Sequence, residues 1–386
     1  MTIAGTAAAR STRVSVVIPC FDEAETITEC VASAIEVLGE NGLAGEVIVV
    51  DNGSTDGSGD LARAAGAMVV DEPRRGYGSA YLAGLAAAGG DYIVMVDADL
   101  TYDFREIPRF VDELERGAQL VVGNRRGGLQ PGAMPWLSRL GNPLLSGFLN
   151  VLHRTNVSDA HCGMRALRRD VLALLNMRTV GMEFASEMVI RASREQLDVR
   201  EIPIELHPRA GTSKLSPFRD GLRHLHLILV YNPTFLFLLP GAVMLLVGSL
   251  ISLLVFLQLP IIGRGLYIHS LILGCLLIIL GVQALGFGLC ARAYGAYFIS
   301  DQDQLFQKLR ARFRFGHGLI LAGVVSVAGI ALLGVVGSKW AANGFGTLSE
   351  TRLALLAATL IAVAAQILFT SFMLSILGLR RRPDEP

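Results

Sequence analysis

The chain of 386 residues exceeds one average domain, and it is apolar: 52% hydrophobic and 18% charged residues, with a mean hydropathy of +0.49. So little charge excludes a disordered chain or a nucleic-acid binder and points to membrane-embedded segments. The 34 basic and 34 acidic side chains cancel unevenly: residues 1–233 hold 23 against 29, net −6, and the remainder 11 against 5, net +6.

In chain order, residues 1–13 lack the apolar stretch of a signal peptide and are expected to fray, which keeps the domain that follows in the cytoplasm. Five short β-branched runs come next, at 14–19, 46–51, 67–71, 92–97 and 119–123. They are almost continuously apolar, as strands covered on both faces are. Helical patterns separate them at roughly 24–38, 57–65, 79–88 and 107–116. This alternation predicts an α/β domain with a mostly parallel sheet between helices. Asp22 with Glu25 reads as a capping box for the first helix.

Residues 216–230 set Phe218, Leu222, Leu225 and Leu229 at helical spacing among Arg219, Arg223 and His226, the pattern of a helix lying at a membrane surface. Four stretches free of Asp, Glu, Lys and Arg follow at about 234–258, 266–289, 318–338 and 353–379. Each is long enough to cross a hydrocarbon core, which takes about 20 helical residues. A basic loop at 292–317 carries a second amphipathic pattern, Leu305, Phe306, Leu309 and Phe313. Arg292, Lys308, Arg310, Arg312 and Arg314 on that loop, with Arg380, Arg381 and Arg382, outnumber Arg264, Lys339 and Arg352 on the opposite side. That bias predicts a multi-pass protein of the cell membrane with the loop and both termini cytoplasmic. The expected organisation is a frayed 1–13, a soluble domain at 14–215, an interfacial helix at 216–232 and a four-helix transmembrane domain at 233–386.

Ligands of a parallel sheet bind beyond the carboxyl ends of its strands, where Asp51 and Asp97 stand. Asp97-Ala-Asp99 closes a strand, and alternate residues of an extended segment point the same way, so both carboxylates can approach one hard divalent cation. Arg75-Gly76-Tyr77-Gly78 is a glycine run of phosphate-binding kind, though it does not follow a strand as the dinucleotide fingerprint does. Glu183, Glu187 and Arg191 are spaced four apart, which suits either a helix ion pair or a contact with substrate. For His161 a structural hydrogen bond is favoured over catalysis, and Trp136 reads as a packing or interface anchor. Cys20, Cys30, Cys162, Cys275 and Cys290 show no paired close spacing and read as buried thiols.

These residues resemble the family 2 glycosyltransferases of the GT-A fold, and among them the polyprenyl-phosphate (dolichol-phosphate) glycosyltransferases. The resemblance rests on VVIPCFDEAETI, VVDNGSTDGS, EPRRGYGSA, VDADLTYD, GNRR, DAHCGMRAL, GMEFASEMVIRA and EIPIELHPRAGTSKL, in matching order. It implies that Pro19, Glu23 and Asp51 form the pocket for the base and ribose of a nucleotide diphosphate sugar. It further implies that Asp97 faces the nucleotide sugar and that Asp99, with Asp97, holds Mg²⁺ or Mn²⁺. Arg125, Arg209, Ser213 and Lys214 fall at basic or polar positions expected around the diphosphate and the acceptor phosphate, and Arg75 is counted among the substrate-binding residues. Asp159, counted with Asp97 and Asp99 as catalytic, and Arg165 belong to an acceptor-side motif, with Glu183 a further substrate contact. Mannose synthases of the group follow the acids with Leu-Gln-His-Pro, whereas Leu100-Thr101-Tyr102-Asp103 stands here and supplies no matching third metal ligand.

The implied activity is inverting transfer of a hexose to a membrane polyprenyl phosphate for use in the cell envelope. UDP-glucose ranks first as donor and GDP-mannose second. A lipid monophosphate, with its second pKa near 6, needs no strong general base, so the costly charge is the leaving diphosphate. A processive polysaccharide synthase fits less well, because neither Trp136 nor Trp340 lies in a Gln-x-x-Arg-Trp motif. A noncatalytic scaffold would not need the acidic strand ends. A homo-oligomer is compatible with all of these readings.

Overall fold

A computed structural model describes residues 13–210, 217–259, 267–298, 315–346 and 350–379. The chain divides into two compact units, Met1–Ile228 and Leu229–Pro386.

The first unit is built on seven strands: β1 (Arg13–Cys20), β2 (Ala44–Asp51), β3 (Met68–Asp71), β4 (Tyr92–Met95), β5 (Leu120–Leu129), β6 (Arg165–Arg168) and β7 (Val199–Leu206). They lie in the order β3-β2-β1-β4-β6-β5-β7. Only β6 runs antiparallel to its neighbours, so the mostly parallel sheet read from the alternation is present, as the resemblance to the GT-A fold also implied. Its helices are α1 (Ile27–Glu40), α2 (Ser58–Ala64), α3 (Tyr77–Ala87), α4 (Ile107–Glu115), α5 (Trp136–His153), α6 (Leu172–Leu175), α7 (Phe184–Arg194) and α8 (Pro217–Val230). Val14, Val16, Ile18, Ile48, Ile93 and Val94 are fully buried, as strands covered on both faces require. Register pairs Cys20 with Asp51 and Val17 with Met95, which brings the carboxyl ends of β1, β2 and β4 to one edge of the sheet.

Several local expectations change. No capping box forms: α1 starts at Ile27 behind Thr26 without a side-chain cap. Asp22 instead takes a left-handed backbone, φ 50°, and accepts the Thr55 N–H at 2.7 Å. The run at 119–123 extends to Leu129 because β7 pairs alongside it. On α8 the side turned inward carries His224, Leu227 and Ile228, while Phe218 and Leu222 are exposed.

The second unit contains α9 (Leu239–Phe256), entered through a wide turn at Thr234–Leu238, then α10 (Ile268–Phe298), α11 (Phe315–Ala342) and α12 (Thr351–Leu379). Each provides a stretch long and apolar enough to cross a membrane, with mean hydropathy of 2.3 to 2.7. Apolar side chains point outward along all four, as helices solvated by lipid allow. The α9 and α10 backbones approach closely at glycines: a Cβ on Gly248 would lie 2.6 Å from the Gly274 carbonyl oxygen. Arg292, expected in a loop, sits on α10, because that helix runs past residue 289, and its guanidinium meets the Thr234 hydroxyl. The amphipathic pattern at 305–313 lies outside the described residues.

Candidate active site

Two turns at the carboxyl ends of β1 and β2 are stitched together. Asp22 N–H donates to Ser54 Oγ at 3.0 Å, Glu23 N–H to Ser58 Oγ at 2.9 Å, and Ala24 N–H to Asp56 Oδ2 at 2.9 Å. They form one wall of a cavity of about 290 Å³ whose lining includes Pro19, Glu23, Asn52, Arg75, Asp97, Asp99 and Arg209. Asp51 is adjacent but spends one carboxylate oxygen on the Ser54 N–H, at 2.8 Å, and does not line the cavity.

Asp97 and Asp99 follow β4, and each is held by its own set of donors. The hydroxyls of Tyr77 and Tyr81, one turn apart on α3, both donate to Asp97 Oδ1, at 3.0 and 3.2 Å. Burial and the nearby Asp99 charge push the Asp97 carboxyl up to about 6 against those two bonds. Phe184 stacks on Tyr81 with centroids 5.7 Å apart, fixing the ring from behind. Asp99 Oδ1 accepts the Thr101 N–H at 3.2 Å and the Thr101 hydroxyl at 2.5 Å, across a left-handed Leu100.

After β7 the chain runs beside this turn, with His207 N–H donating to the Thr101 carbonyl at 2.9 Å. That pairing delivers Arg209, whose guanidinium bridges Glu23 Oε1 at 2.6 Å and Asp99 Oδ2 at 3.2 Å. Two carboxylates and a guanidinium thus converge with Asp97 at the cavity. Among the described residues no three His, Cys, Asp or Glu side chains cluster as a metal site. Two carboxylates still fit a hard divalent ion that completes its shell with phosphate oxygens and water, and Asp99 Oδ2 already faces a cationic group. The Thr101-Tyr102-Asp103 run adds no third ligand. Thr101 braces Asp99, the Tyr102 hydroxyl accepts the Gly163 N–H at 2.8 Å, and Asp103 pairs with Arg105 at 2.7 Å.

The remaining expected residues are elsewhere. Arg125 and Asp159 form a buried bidentate pair, with bonds of 2.7 and 2.8 Å. Burial acts to raise the Asp159 carboxyl, but the Arg125 bonds and charge outweigh it and hold it below the usual range. Arg165, 1% exposed, donates to the carbonyls of Ala160, Cys162 and Ala185. None of these three lines the cavity. Glu183 folds its carboxylate over Gly181, next to the cavity-lining Met182. Glu187 pairs with Arg191 at 3.5 Å, as an i, i+4 pair does, and also accepts the Arg178 and Thr179 N–H groups at 2.9 and 2.8 Å. Ser213 and Lys214 lie outside the described residues.

The glycine run serves packing. Cβ atoms at Gly76 (φ 146°) and Gly78 would come 2.2 Å from the Val180 and Thr179 carbonyl oxygens. Arg75 lines the cavity, its guanidinium 4.7 Å from the Phe21 ring centre. His161 bonds Ser186 Oγ through Nε2 at 3.2 Å, and Ser186 meets His224 Nδ1 at 2.9 Å. Burial and the neighbouring His224 push His161 well below its ordinary value, so it stays neutral in a structural network. Burial raises the thiols of Cys20 and Cys162 to about 11 and of Cys30 to about 12, and all three are unpaired.

Sequence reasoning missed Tyr77, Tyr81, Phe21 and Asn52. Asn52 Nδ2 donates to the Glu72 and Arg74 carbonyls at 2.9 and 2.8 Å, and its Oδ1 accepts the Gly76 N–H at 2.7 Å, which sets the Arg75 loop. A polar residue just past a strand end was the available signal for it.

Residues 15–175 match the model of glycosyl transferase family 2, and residues 289–378 that of the glycosyltransferase family 2 C-terminal transmembrane region. The chain is 36% identical over 367 residues to the low-salt glycan biosynthesis hexosyltransferase Agl6 of Haloferax volcanii, covering 94% of this chain and 89% of that protein. The dolichyl-phosphate hexose transferase of Haloferax volcanii is 35% identical over 178 residues, 46% of this chain and 76% of that one. Glucosyl-3-phosphoglycerate synthase from Mycobacterium tuberculosis, solved with Mn²⁺, UDP-glucose and phosphoglyceric acid, matches at 26% identity. That match covers 57% of this chain and 79% of that one, with a TM-score of 0.47.

Proposed function

The chain belongs to glycosyl transferase family 2 as a membrane hexosyltransferase, and from that membership we propose that it moves a hexose from a nucleotide diphosphate sugar to a polyprenyl phosphate with inversion. UDP-glucose is the first donor to test and GDP-mannose the second. The observation that carries the reading is the convergence of Asp97, Asp99, Glu23 and Arg209 on one cavity beyond the ends of parallel strands.

In this reading Pro19 and Glu23 lie against the base and ribose, and Arg75 and Arg209 set positive charge beside the diphosphate. Mg²⁺ or Mn²⁺ held by Asp99 and Asp97 would supply charge stabilisation for the departing diphosphate. Tyr77 and Tyr81 fix the Asp97 carboxylate at the cavity wall through its Oδ1. The acceptor arrives as a phosphate that is already largely ionised near neutral pH, so no side chain has to remove a proton from it. The membrane helices suit an acceptor whose tail is confined to the bilayer. We place the catalytic unit and both termini on the cytoplasmic side, where the Arg-rich loop and carboxyl end also belong.

The test is transfer of radiolabelled sugar from UDP-glucose and, separately, GDP-mannose to undecaprenyl or decaprenyl phosphate by the purified protein, with and without Mn²⁺ or Mg²⁺. Metal-dependent labelled lipid from one donor supports the reading. Folded protein that labels no lipid from either removes both donors and moves weight to another sugar.

A further inference from the structure

Both oxygens of Asp99 are already bonded within the protein. Oδ1 accepts the Thr101 N–H and hydroxyl, at 3.2 and 2.5 Å, and Oδ2 pairs with Arg209 Nη1 at 3.2 Å. The other arm of the same guanidinium, Nη2, donates to Glu23 Oε1 at 2.6 Å. Glu23, Asp99 and Arg209 all line the cavity, and their side chains are only 13–20% exposed, so solvent and salt screen the charges weakly.

The backbone that carries Arg209 is fixed to the Asp99 turn on either side of it. His207 N–H donates to the Thr101 carbonyl at 2.9 Å and Ala210 N–H to the Asp99 carbonyl at 3.4 Å. Release of the two carboxylates therefore falls to rotation of the Arg209 side chain. Its Nε is shut off from solvent and has no hydrogen-bond partner among the described residues, although buried polar groups are almost always paired. A guanidinium with a donor unspent at a cavity wall suits an anionic ligand entering that cavity.

We propose that Arg209 is a built-in counter-ion that competes with the divalent ion for Asp99. While the donor is absent, the guanidinium ties Asp99 to Glu23. When a nucleotide diphosphate enters, the side chain turns to the diphosphate and opens Asp99 Oδ2 to the ion. The two occupants exclude each other, because a divalent ion on that oxygen and a guanidinium 3.2 Å from it would repel at close range. The exchange leaves no charge unpaired: the carboxylate trades a guanidinium for a metal ion, and the guanidinium trades a carboxylate for phosphate oxygens. Metal and donor then bind with positive coupling, and the metal alone binds poorly. If Arg209 holds Asp99 in about nine molecules of ten, the apparent affinity for the ion alone is about tenfold below that of the open site. The exchange rests on the reading of Asp99 as the metal-holding acid and is independent of the sugar and of the lipid acceptor.

The experiment is titration of the purified full-length protein with Mn²⁺ alone, followed by electron paramagnetic resonance of the unbound ion, so that no turnover enters. Arg209→Met is expected to bind Mn²⁺ about tenfold more tightly than wild type. Arg209→Gln, also neutral, gives the same reading should Arg209→Met fail to fold. Arg75→Met removes a second cation that lines the cavity but does not touch Asp99, and is expected to change the affinity by less than about twofold. Whichever of UDP and GDP binds is expected to tighten Mn²⁺ more in wild type than in Arg209→Met, since only wild type has a cation to move. Equal Mn²⁺ affinity in wild type and both Arg209 variants, with binding lost in Asp99→Ala, overturns the exchange and leaves the metal assignment standing. An equal gain from Arg75→Met overturns it too, because the effect is then the general field of the cavity. No Mn²⁺ bound by any form, with or without nucleotide, removes the metal assignment and the exchange together.

Discussion

The two halves of the catalytic unit handle charge in opposite ways. Past β1, β2 and β4, Glu23, Asp97, Asp99 and Arg209 line a cavity, their charges bonded to one another or to the α3 hydroxyls at its wall, and Asp97 is pushed up towards 6. Around β5 and β6, Arg125, Asp159 and Arg165 are buried with their bonds closed within the protein, and Asp159 is held low. Residue types and motif membership are the same in both halves. What differs is whether the side chain faces a cavity that a ligand can enter or is closed off within the fold.

The widest separation should come from breaking the scaffold. Asp159→Ala leaves Arg125 charged in a buried site, which costs about 3–5 kcal/mol of stability. The expected outcome is a large loss in thermal midpoint, with donor affinity unchanged in whatever fraction stays folded. A stable Asp159→Ala protein that has lost only turnover would move Asp159 to the chemical half. Asp99→Ala should do the reverse: turnover falls by about 10²–10³ or more, while the midpoint and circular dichroism stay close to wild type. Near-normal, metal-dependent transfer by that variant ends the metal assignment.

Linkage gives the two aspartates opposite signs. Asp97 binds its proton more tightly folded than unfolded, so its contribution grows as pH falls through 6 towards the unfolded value of about 3.9. Asp159 binds its proton more weakly when folded, so its contribution is present above about 3.9 and is lost as pH falls through its depressed value. In metal-free protein, Asp97→Asn should therefore raise the midpoint at pH 7 by a few degrees, about 1 kcal/mol, with the gain shrinking by pH 5. Thermal scans at the two pH values check this. A gain that does not change with pH would show that Asp97 is not the titrating group.

Much of this contrast was legible locally. Asp97-x-Asp99 follows a strand, Glu23 sits in a turn past β1, and both reach the cavity because the parallel register leaves little freedom at strand ends. Asp159, Arg125 and Arg165 lie away from that cavity, bonded to partners on other strands and helices, which spacing along the chain does not reveal. The same holds for Tyr77 and Tyr81, which meet Asp97 only once α3 packs on the sheet at Gly84. Among the strands, the four-residue β6 and the longer β7 escaped a search for continuous apolar runs, and β7 shows why. It pairs on one side only, burying Ile202, Ile204 and Leu206 while Pro203 and Glu205 face out, so its signal is alternation. The four apolar helices were plain from composition, but α10 continues to Phe298 because backbone hydrogen bonding does not stop at the first charged side chain.

The smallest effect tests the contrast where it is thinnest. Arg75 is exposed, among the described residues donates to the Gly53 carbonyl at 3.3 Å, and leans over the Phe21 ring. The cation–π contact is worth about 0.5–1 kcal/mol at an exposed site. If Arg75 belongs to the chemical half, Phe21→Leu frees it without removing it, and the donor KM should rise about two- to fivefold with kcat unchanged. Arg75→Ala should raise it further, since the charge beside the diphosphate goes as well. Equal changes in kcat and KM for Phe21→Leu would instead place the ring in the packing of the cavity wall. Arg75 would then join the residues whose work is done before substrate arrives.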